Sequence, residues 1–562
     1  MSKPLLEVKD LTIAPVIGGD PIVKDINFSV EPGKVIALIG ESGSGKTTIA
    51  LSALGYTRPG LEITKGSVRL GDTDVLALEG QDLRNFRGAR VSYIAQSAAA
   101  AFNPGLSLNY QVTEPNLIHG LMDKGPALDR AKELYRDMKL PNPDQIGDRF
   151  PHEVSGGQLQ RVMAAMALST GPELLVFDEP TTALDVTTQI SVLKSFKDVI
   201  RDRNAAAIYV THDLAVVAQI ADEIIVLLNG QTVEQEGVHD IVSHPQKKYT
   251  KILMSASDPD LALAKKESKD PVARDPQEAA ALVVDNVTAG YGKIKSNGEP
   301  TFPVLKDINM TVPKGTIVGV VGESGSGKST LARAISGLLP PAKGEVRLNG
   351  VALPPGYQQR SKEQLRKVQF VPQMADVALN KSHTISKILG RPVTFMRGEK
   401  GAARDDIVAD LMDKVKLPRD FMKRLPSQLS GGQKQRVNLA RALAANPEVV
   451  LCDEVTSALD TVVRNSMIAL IDELRETLSL TFFFISHDIS TIATLADRTV
   501  VMLKGQIVED DLTEKVMKDP SEDYTKILMG SVPHMRVGWL EDAIAERERI
   551  AAGREASFLA DA

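Results

Sequence analysis

GESGSGKTT, residues Gly40–Thr48, returns almost unchanged as GESGSGKST, residues Gly322–Thr330. Each copy fits G-x(4)-G-K-[ST] and lies between a short apolar run (VIALIG; TIVGVVG) and a helix-like stretch. A loop in that strand–loop–helix context turns its backbone N–H groups inward around a phosphate. Gly40, Ser42, Gly43, Gly45, Lys46, Thr47 and Thr48 form the first candidate phosphate site, with Lys46 on the β/γ oxygens and the Thr47 hydroxyl on Mg²⁺. Gly322, Ser324, Gly325, Gly327, Lys328, Ser329 and Thr330 repeat those roles. One loop binds one nucleotide, so the repetition itself needs a reason.

The repeat extends well beyond the loop. Gln96 in YIAQ matches Gln373 in FVPQ, VSGGQLQR (Val154–Arg161) matches LSGGQKQR, and LLVFDEP (Leu174–Pro180) matches VVLCDEV. His212 in VTHD matches His487 in ISHD, and YTKILM stands verbatim at Tyr249 and Tyr524. The offset is 282 residues at the phosphate loop and 277 at the glutamine, then holds at 275 from the serine–glycine motif onward. A constant offset means two homologous domains, with length changes confined to their earlier parts. The expected boundaries are 1–256 and 281–533, joined by a charged, proline-punctuated linker at 257–280 and followed by a helical tail at 534–562. Trp539, Leu540, Ile544 and Ile550 share one side of that tail, which is expected to pack on the second domain.

The 562 residues exceed one ordinary core, and 66 basic against 72 acidic residues leave a net charge of −6. That balance argues against coating nucleic acid. A single cysteine, Cys452, and an amino terminus without an apolar signal core point to a reducing cytoplasm. Apolar runs such as LTFFFIS fall short of the ~20 residues that cross a bilayer as a helix, so the chain is not expected to span a membrane by itself. Fully apolar runs alternating with longer helical stretches suit a mainly parallel, doubly covered sheet, and the fold class is α/β, twice.

Each half also carries an acid pair where an apolar strand ends. Asp178 and Asp453 are placed to orient Mg²⁺, and Glu179 and Glu454 to polarise an attacking water as general bases. Gln96 and Gln373 are candidates for sensing the γ-phosphate or the metal, and His212 and His487 for a hydrogen bond to the γ-phosphate. In SGGQ, residues Ser155, Gly156, Gly157 and Gln158, and again Ser430, Gly431, Gly432 and Gln433, open an apolar helix. Backbone N–H groups at a helix N-terminus make a second anion site.

With these motifs in this order, together with TTALD and TSALD, both halves resemble nucleotide-binding domains of the ABC (ATP-binding cassette) superfamily over nearly the whole chain. The resemblance implies a helical subdomain behind each signature motif, ATP and Mg²⁺ as ligands, and head-to-tail pairing of the two domains. One composite site would join Lys46, Gln96, Asp178, Glu179 and His212 to Ser430 and Gly432. The other would join Lys328, Gln373, Asp453, Glu454 and His487 to Ser155 and Gly157. The endings SHPQKKYTKILM and KDPSEDYTKILM, with AFNP after Gln96, are similar to fused ATPases of bacterial importers for peptides, opines, nickel and oligosaccharides. ALNK departs from the family's L-N-P in the second half, and with Cys452 alone the iron–sulfur cluster of several relatives is not expected.

That resemblance implies a motor subunit at the cytoplasmic face of the inner membrane, held there by two transmembrane permease subunits. An extracytoplasmic solute-binding protein would act indirectly and nucleic acid would not be a partner. The alternatives are a soluble ABC ATPase acting on the ribosome or DNA, or an exporter ATPase. The family also places an aromatic ring on the first strand to stack on adenine, which here implies Tyr291 in the second half and Pro15 at the matching position in the first.

Overall fold

Strands form where the apolar runs are continuous. Val35–Gly40, Leu174–Asp178 and Ala206–Val210 are buried along their whole length, as strands covered on both faces must be. A computed structural model describes residues 3–181, 184–257, 280–296, 298–457 and 459–560. The expected linker between the halves lies outside the described residues, apart from its two ends. The chain divides into two units, Met1–Asp258 with Pro533–Ala562, and Pro259–Val532.

The first unit contains a six-stranded sheet in the order Gln231–Gly237, Glu223–Leu228, Val35–Gly40, Ala206–Val210, Leu174–Asp178, Val91–Ile94. Only the edge strand Gln231–Gly237 runs antiparallel. The second unit repeats it as Gln506–Leu512, Arg498–Leu503, Ile317–Val321, Thr481–Ile485, Val449–Asp453, Val368–Val371. Parallel strands share their carboxyl ends, so Gly40, Asp178 and Val210 come out on one edge of the first sheet, where α/β proteins bind ligands.

Each unit adds an antiparallel sheet of four strands that the motif reading does not foresee. In the first it runs Val23–Val30, Leu6–Pro15, Leu61–Leu70, Thr73–Asp74. VKDINFSV alternates buried and exposed residues at the carboxyl half of its length, the period of a half-solvated strand. Helices Leu108–Ile118, Lys124–Asp137 and Gly156–Leu168 pack together as a helical layer, matched by Ile385–Pro392, Gly401–Lys414 and Gly431–Leu443.

The tail is helical over Trp539–Ala560, but it packs on the first unit and not on the second as its apolar stripe led one to expect. The physical reason is a built seat. Trp539, Leu540 and Ala543 enter the core that holds Val192, Phe196, Val216 and Ile220 of the first unit. The buried side chain of Gln219 donates to the carbonyls of His534 and Arg536 and accepts the Leu540 N–H. Lys197 pairs with Glu541 at 2.7 Å, and Arg547 donates to the Thr187 carbonyl. Apolar periodicity announces that a helix has a buried face, and this stripe has nothing to distinguish two homologous surfaces. The side chain of Ile550, expected on the same stripe, lies outside the described residues.

Trp539 is the only tryptophan, so its fluorescence reports this seat. Leu540→Ala removes a side chain that is 1% exposed, a change that costs about 2–5 kcal/mol in a packed core. The urea midpoint of Trp539 emission falls accordingly, with the red shift of a solvated indole appearing at lower denaturant than in the wild type. An unchanged midpoint would mean that the helix contributes nothing to the stability of this unit.

Candidate functional site

The phosphate loop leaves its strand through a backbone that excludes a side chain. A Cβ on Gly40 would stand 2.2 Å from the Leu227 carbonyl oxygen, and one on Gly322 2.2 Å from that of Met502. Both glycines have φ near +145°, a region open to glycine alone. Helix Lys46–Ser52 and helix Lys328–Ser336 then begin at the lysines. Lys46 Nζ donates to the carbonyls of Gly40 and Glu41 at 2.8 and 2.7 Å, and Lys328 Nζ to those of Gly322 and Glu323 at 2.8 Å each. Each ammonium group thus closes the first turn of its own loop.

At the neighbouring strand end, Thr47 Oγ1 donates to Asp178 Oδ1 at 2.9 Å and Ser329 Oγ to Asp453 Oδ1 at 2.8 Å. A hydroxyl meeting a buried carboxylate offers oxygen donors only, a set that fits Mg²⁺ with part of its water shell retained. Tyr93 also donates to Asp178, from Oη to Oδ2 at 2.7 Å. The matching position in the second half is Phe370, so Asp453 lacks that donor. Tyr93 is a residue that motif reading missed; the signal was a tyrosine in VSYIAQ facing a phenylalanine in VQFVPQ.

The adjoining glutamates adopt the left-handed conformation, with φ of 49° at Glu179 and 50° at Glu454. For a residue with a Cβ this costs roughly 1–2 kcal/mol, and such strain collects at functional sites. The Glu179 N–H donates to the Val210 carbonyl at 2.8 Å and the Glu454 N–H to that of Ile485 at 3.0 Å. Gln96 Nε2 reaches Glu179 Oε2 at 2.7 Å, while His212 Nδ1 lies 3.1 Å from its Oε1. Gln373 Nε2 reaches Glu454 Oε2 at 2.6 Å, and His487 Nδ1 lies 3.5 Å from that oxygen. Loop, acid pair, glutamine and histidine therefore converge in each unit.

The signature residues stand apart from this cluster. Ser155 caps helix Gly156–Leu168 by accepting the Gln158 N–H, and Gln158 Oε1 accepts the Ser155 N–H in return. Ser430 and Gln433 form the same reciprocal cap. Such a box satisfies two of the helix's free N–H groups and holds the turn rigid. A Cβ on Gly157 would meet Thr188 Cγ2 at 2.3 Å, and one on Gly432 would meet Val463 Cγ1 at 2.4 Å, whereas Gly156 and Gly431 face open space. Among the described residues, Ser155 and Gln158 bond to each other and not to the phosphate loop of their own unit.

Tyr291 is 42% exposed on strand Ala280–Ile294 and accepts a hydrogen bond from Arg333, on the helix that follows the second phosphate loop. Thr288 Oγ1 accepts the Asp307 N–H as Thr12 Oγ1 accepts the Asp25 N–H. Counting three residues on from each threonine pairs Tyr291 with Pro15.

Charge is distributed so that the acid carries its proton donor beside it. Burial works to raise the Glu454 carboxyl, but the hydrogen bond and charge of His487, joined by Lys328 and Gln373, hold it below its ordinary value. Burial likewise works against the His487 imidazolium, and the bond to Glu454 with the charges of Glu454 and Asp488 outweighs it and raises His487. Asp453 is raised, chiefly by burial, with the Glu454 charge adding to the effect against the Ser329 hydrogen bond. A raised histidine gives its full stabilisation below its ordinary value of about 6.5 and loses it as pH climbs through the folded value. Replacing Glu454 by Gln removes the main counter-charge, so the His487 Cε1–H resonance titrates at lower pH than in the wild type. An unmoved titration would break the link between these two side chains.

The ABC transporter family model matches residues 23–182 and again 305–457. The model of the oligopeptide/dipeptide transporter C-terminal region matches residues 508–555. The glutathione import ATP-binding protein GsiA of Escherichia coli O157:H7 is 34% identical over 94% of this chain and 89% of its own length. The oligopeptide transport ATP-binding protein OppD of Mycobacterium tuberculosis is 33% identical over 94% of this chain and 98% of its own. Among solved structures, a dimeric ATP-binding cassette in a post-hydrolysis state with ADP and phosphate is 30% identical over 41% of this chain and 98% of its own, with a TM-score of 0.37. Both halves thus fall in one family, and the chain belongs to it as an ABC transporter ATPase with two fused ATP-binding domains.

Proposed function

We propose that this ATPase drives solute import, of peptides or similarly small polar solutes, through two transmembrane permease subunits supplied by an extracytoplasmic binding protein. The carrying observation is that lysine, aspartate, strained glutamate, glutamine and histidine meet in both halves, alongside relatives named for glutathione import and for oligopeptide transport. The chain would sit at the cytoplasmic face of the inner membrane. Among the described residues no helix is long and apolar enough to cross it. In this reading the permease subunits hold it there. Two regions support this: Met374 and Val377, just after Gln373, are 61% and 79% exposed, and Phe395 is 62% exposed. We assign these exposed side chains to the permease-facing surface.

In the proposed cycle each ATP lies between the phosphate loop of one half and the signature helix of the other. One site joins Lys46, Gln96, Asp178, Glu179 and His212 to Ser430 and Gly432; the second joins Lys328, Gln373, Asp453, Glu454 and His487 to Ser155 and Gly157. Lys46 and Lys328 neutralise the β/γ oxygens, and Glu179 and Glu454 take the proton of the attacking water. For that the glutamate must give up one of the donors that now hold it, and Gln96 or Gln373 is free to turn toward the γ-phosphate. Magnesium, when bound by Thr47 and Asp178 or Ser329 and Asp453, supplies charge neutralisation at the phosphates.

In the assembled complex, Glu179→Gln or Glu454→Gln alone lowers ATP turnover at least tenfold, and the double variant abolishes it while ATP still binds. A cysteine at Val377 crosslinks to a permease in either background. Residual hydrolysis in the double variant would refute the general-base assignment, and failure to crosslink would refute the docking surface.

Tyr291 would stack on adenine in the second half, with nothing aromatic at Pro15 in the first. Base stacking on an aromatic ring is worth about 1–3 kcal/mol. Tyr291→Ala therefore weakens ATP at the Lys328 site roughly fivefold or more and leaves the Lys46 site unchanged, read by site-resolved photolabelling. Equal loss at both sites, or none, would sink the assignment.

A further inference from the structure

The repeated YTKILM reaches the phosphate loop. Tyr249, on helix Lys248–Ser257, accepts the backbone N–H of Glu41 on its hydroxyl at 3.3 Å. Tyr524, on helix Asp523–Met529, accepts that of Glu323 at 3.1 Å. Glu41 and Glu323 are the second residues of the two loops, so the same contact is built twice, more than 200 residues apart in sequence each time.

The tyrosine is held by the sheet that carries the loop. Glu234, buried on the edge strand Gln231–Gly237, accepts the N–H groups of Gln246 and Lys247, just ahead of the helix bearing Tyr249. Glu509, buried on Gln506–Leu512, accepts those of Ser521 and Glu522 ahead of Tyr524, and the Ser521 hydroxyl as well. The edge strand pairs with Glu223–Leu228, which pairs in turn with Val35–Gly40, the strand that feeds the loop. Arg498–Leu503 and Ile317–Val321 complete the same circuit in the second unit. Three strands, a capped turn and one phenol thus form a closed path back to the loop entrance.

At that entrance the polar groups are shared out. The carbonyls of Gly40 and Glu41 face Lys46 Nζ, and the Glu41 N–H is turned to the tyrosine. The first peptide groups of the loop are fixed from both sides before any nucleotide arrives. We propose that Tyr249 and Tyr524 are positioning residues for ATP, each holding the first turn of its own phosphate loop in the binding conformation. Each acts through the loop, not on the phosphates. Binding then does not have to order this turn, and that saving appears in nucleotide affinity and not in the chemical step.

The proposal rests on the phosphate loops binding ATP, and the test separates the two. In the full-length chain, Tyr249→Phe and Tyr524→Phe keep the ring and delete only the hydroxyl that accepts the loop N–H. One neutral hydrogen bond corresponds to about a fivefold change in affinity. Each variant is expected to raise the KM for ATP and the Kd for a fluorescent ATP analogue about fivefold at its own site, with kcat within twofold of the wild type. Amide exchange in the loop peptide containing Glu41, or Glu323, becomes faster in the half that carries the substitution and not in the other. A lower melting temperature with unchanged KM and loop exchange would make the tyrosines structural only and overturn the proposal, as would a fall in kcat at constant KM or no change at all. Should a variant not fold, the wild type decides: protection of the Glu41 and Glu323 amides without nucleotide sustains the proposal, and exchange at the intrinsic rate overturns it. A wild-type chain that failed to bind the analogue would sink the ATP reading instead.

Discussion

The Glu179 N–H donates to the Val210 carbonyl, and the Glu454 N–H to that of Ile485; the candidate site of each unit hangs on that bond. It is one rung beyond the end of a fully buried parallel strand. The ladder keeps its spacing there while φ passes into the left-handed region. A glutamate that relaxed to ordinary helical or extended dihedrals would regain about 1–2 kcal/mol and swing its carboxylate out of reach of the glutamine and histidine. The rung outweighs that gain because a buried N–H left without a partner costs about as much or more. Strand burial, which is a matter of folding, therefore determines where the proposed general base stands.

Much of this edge can be read from the chain. The motif residues are limited to few types and their spacing survives duplication, so it is legible without coordinates that loop, acid pair, glutamine and histidine recur together, and the structure brings them to one strand edge in each unit. The α/β class follows from the continuous apolar runs. The antiparallel sheet is harder to see because the alternating stretch INFSV is short, and the alternation of its partner strands Leu6–Pro15 and Ala280–Ile294 is interrupted by register shifts next to Asp10 and Asn286. Tyr93 escaped notice because a tyrosine in a strand is usually packing; only the Asp178 oxygen 2.7 Å from its hydroxyl distinguishes it. Tyr249 and Tyr524 were visible as a repeated family marker, but a helix far along the chain from the loop gives no hint of which N–H it meets.

The tail shows a different limit. Its stripe of Trp539 and Leu540 says that one face is buried, and two homologous units offer two surfaces of similar composition. What selects the first is polar and specific. Gln219 takes two carbonyls and one N–H of the tail, and the corresponding position in the second unit is Thr494, whose hydroxyl is already bonded to the Ser490 carbonyl. A buried glutamine without those three partners would be costly, so the seat and the tail segment specify one another. Hydrophobicity supplies the docking energy and the amide supplies the address.

Length differences between the halves follow the same division between what is constrained and what is free. Leu6 pairs with Leu70 and Leu282 with Leu348 at the start of the two antiparallel sheets, an offset of 276 residues that grows to 282 at the phosphate loops. The added residues lengthen a hairpin: strands Ala280–Ile294 and Pro300–Pro313 exceed Leu6–Pro15 and Val23–Val30. Hairpin tips absorb insertions at little cost. From the signature serine onward come the capped signature helix, the strand that ends in the acid pair, and the glutamate–tyrosine circuit that returns to the loop. One inserted residue there would turn a side chain to the wrong face of a strand or pull the phenol away from the Glu41 amide. The constant spacing of 275 residues is what two independent copies of a closed mechanical circuit would retain.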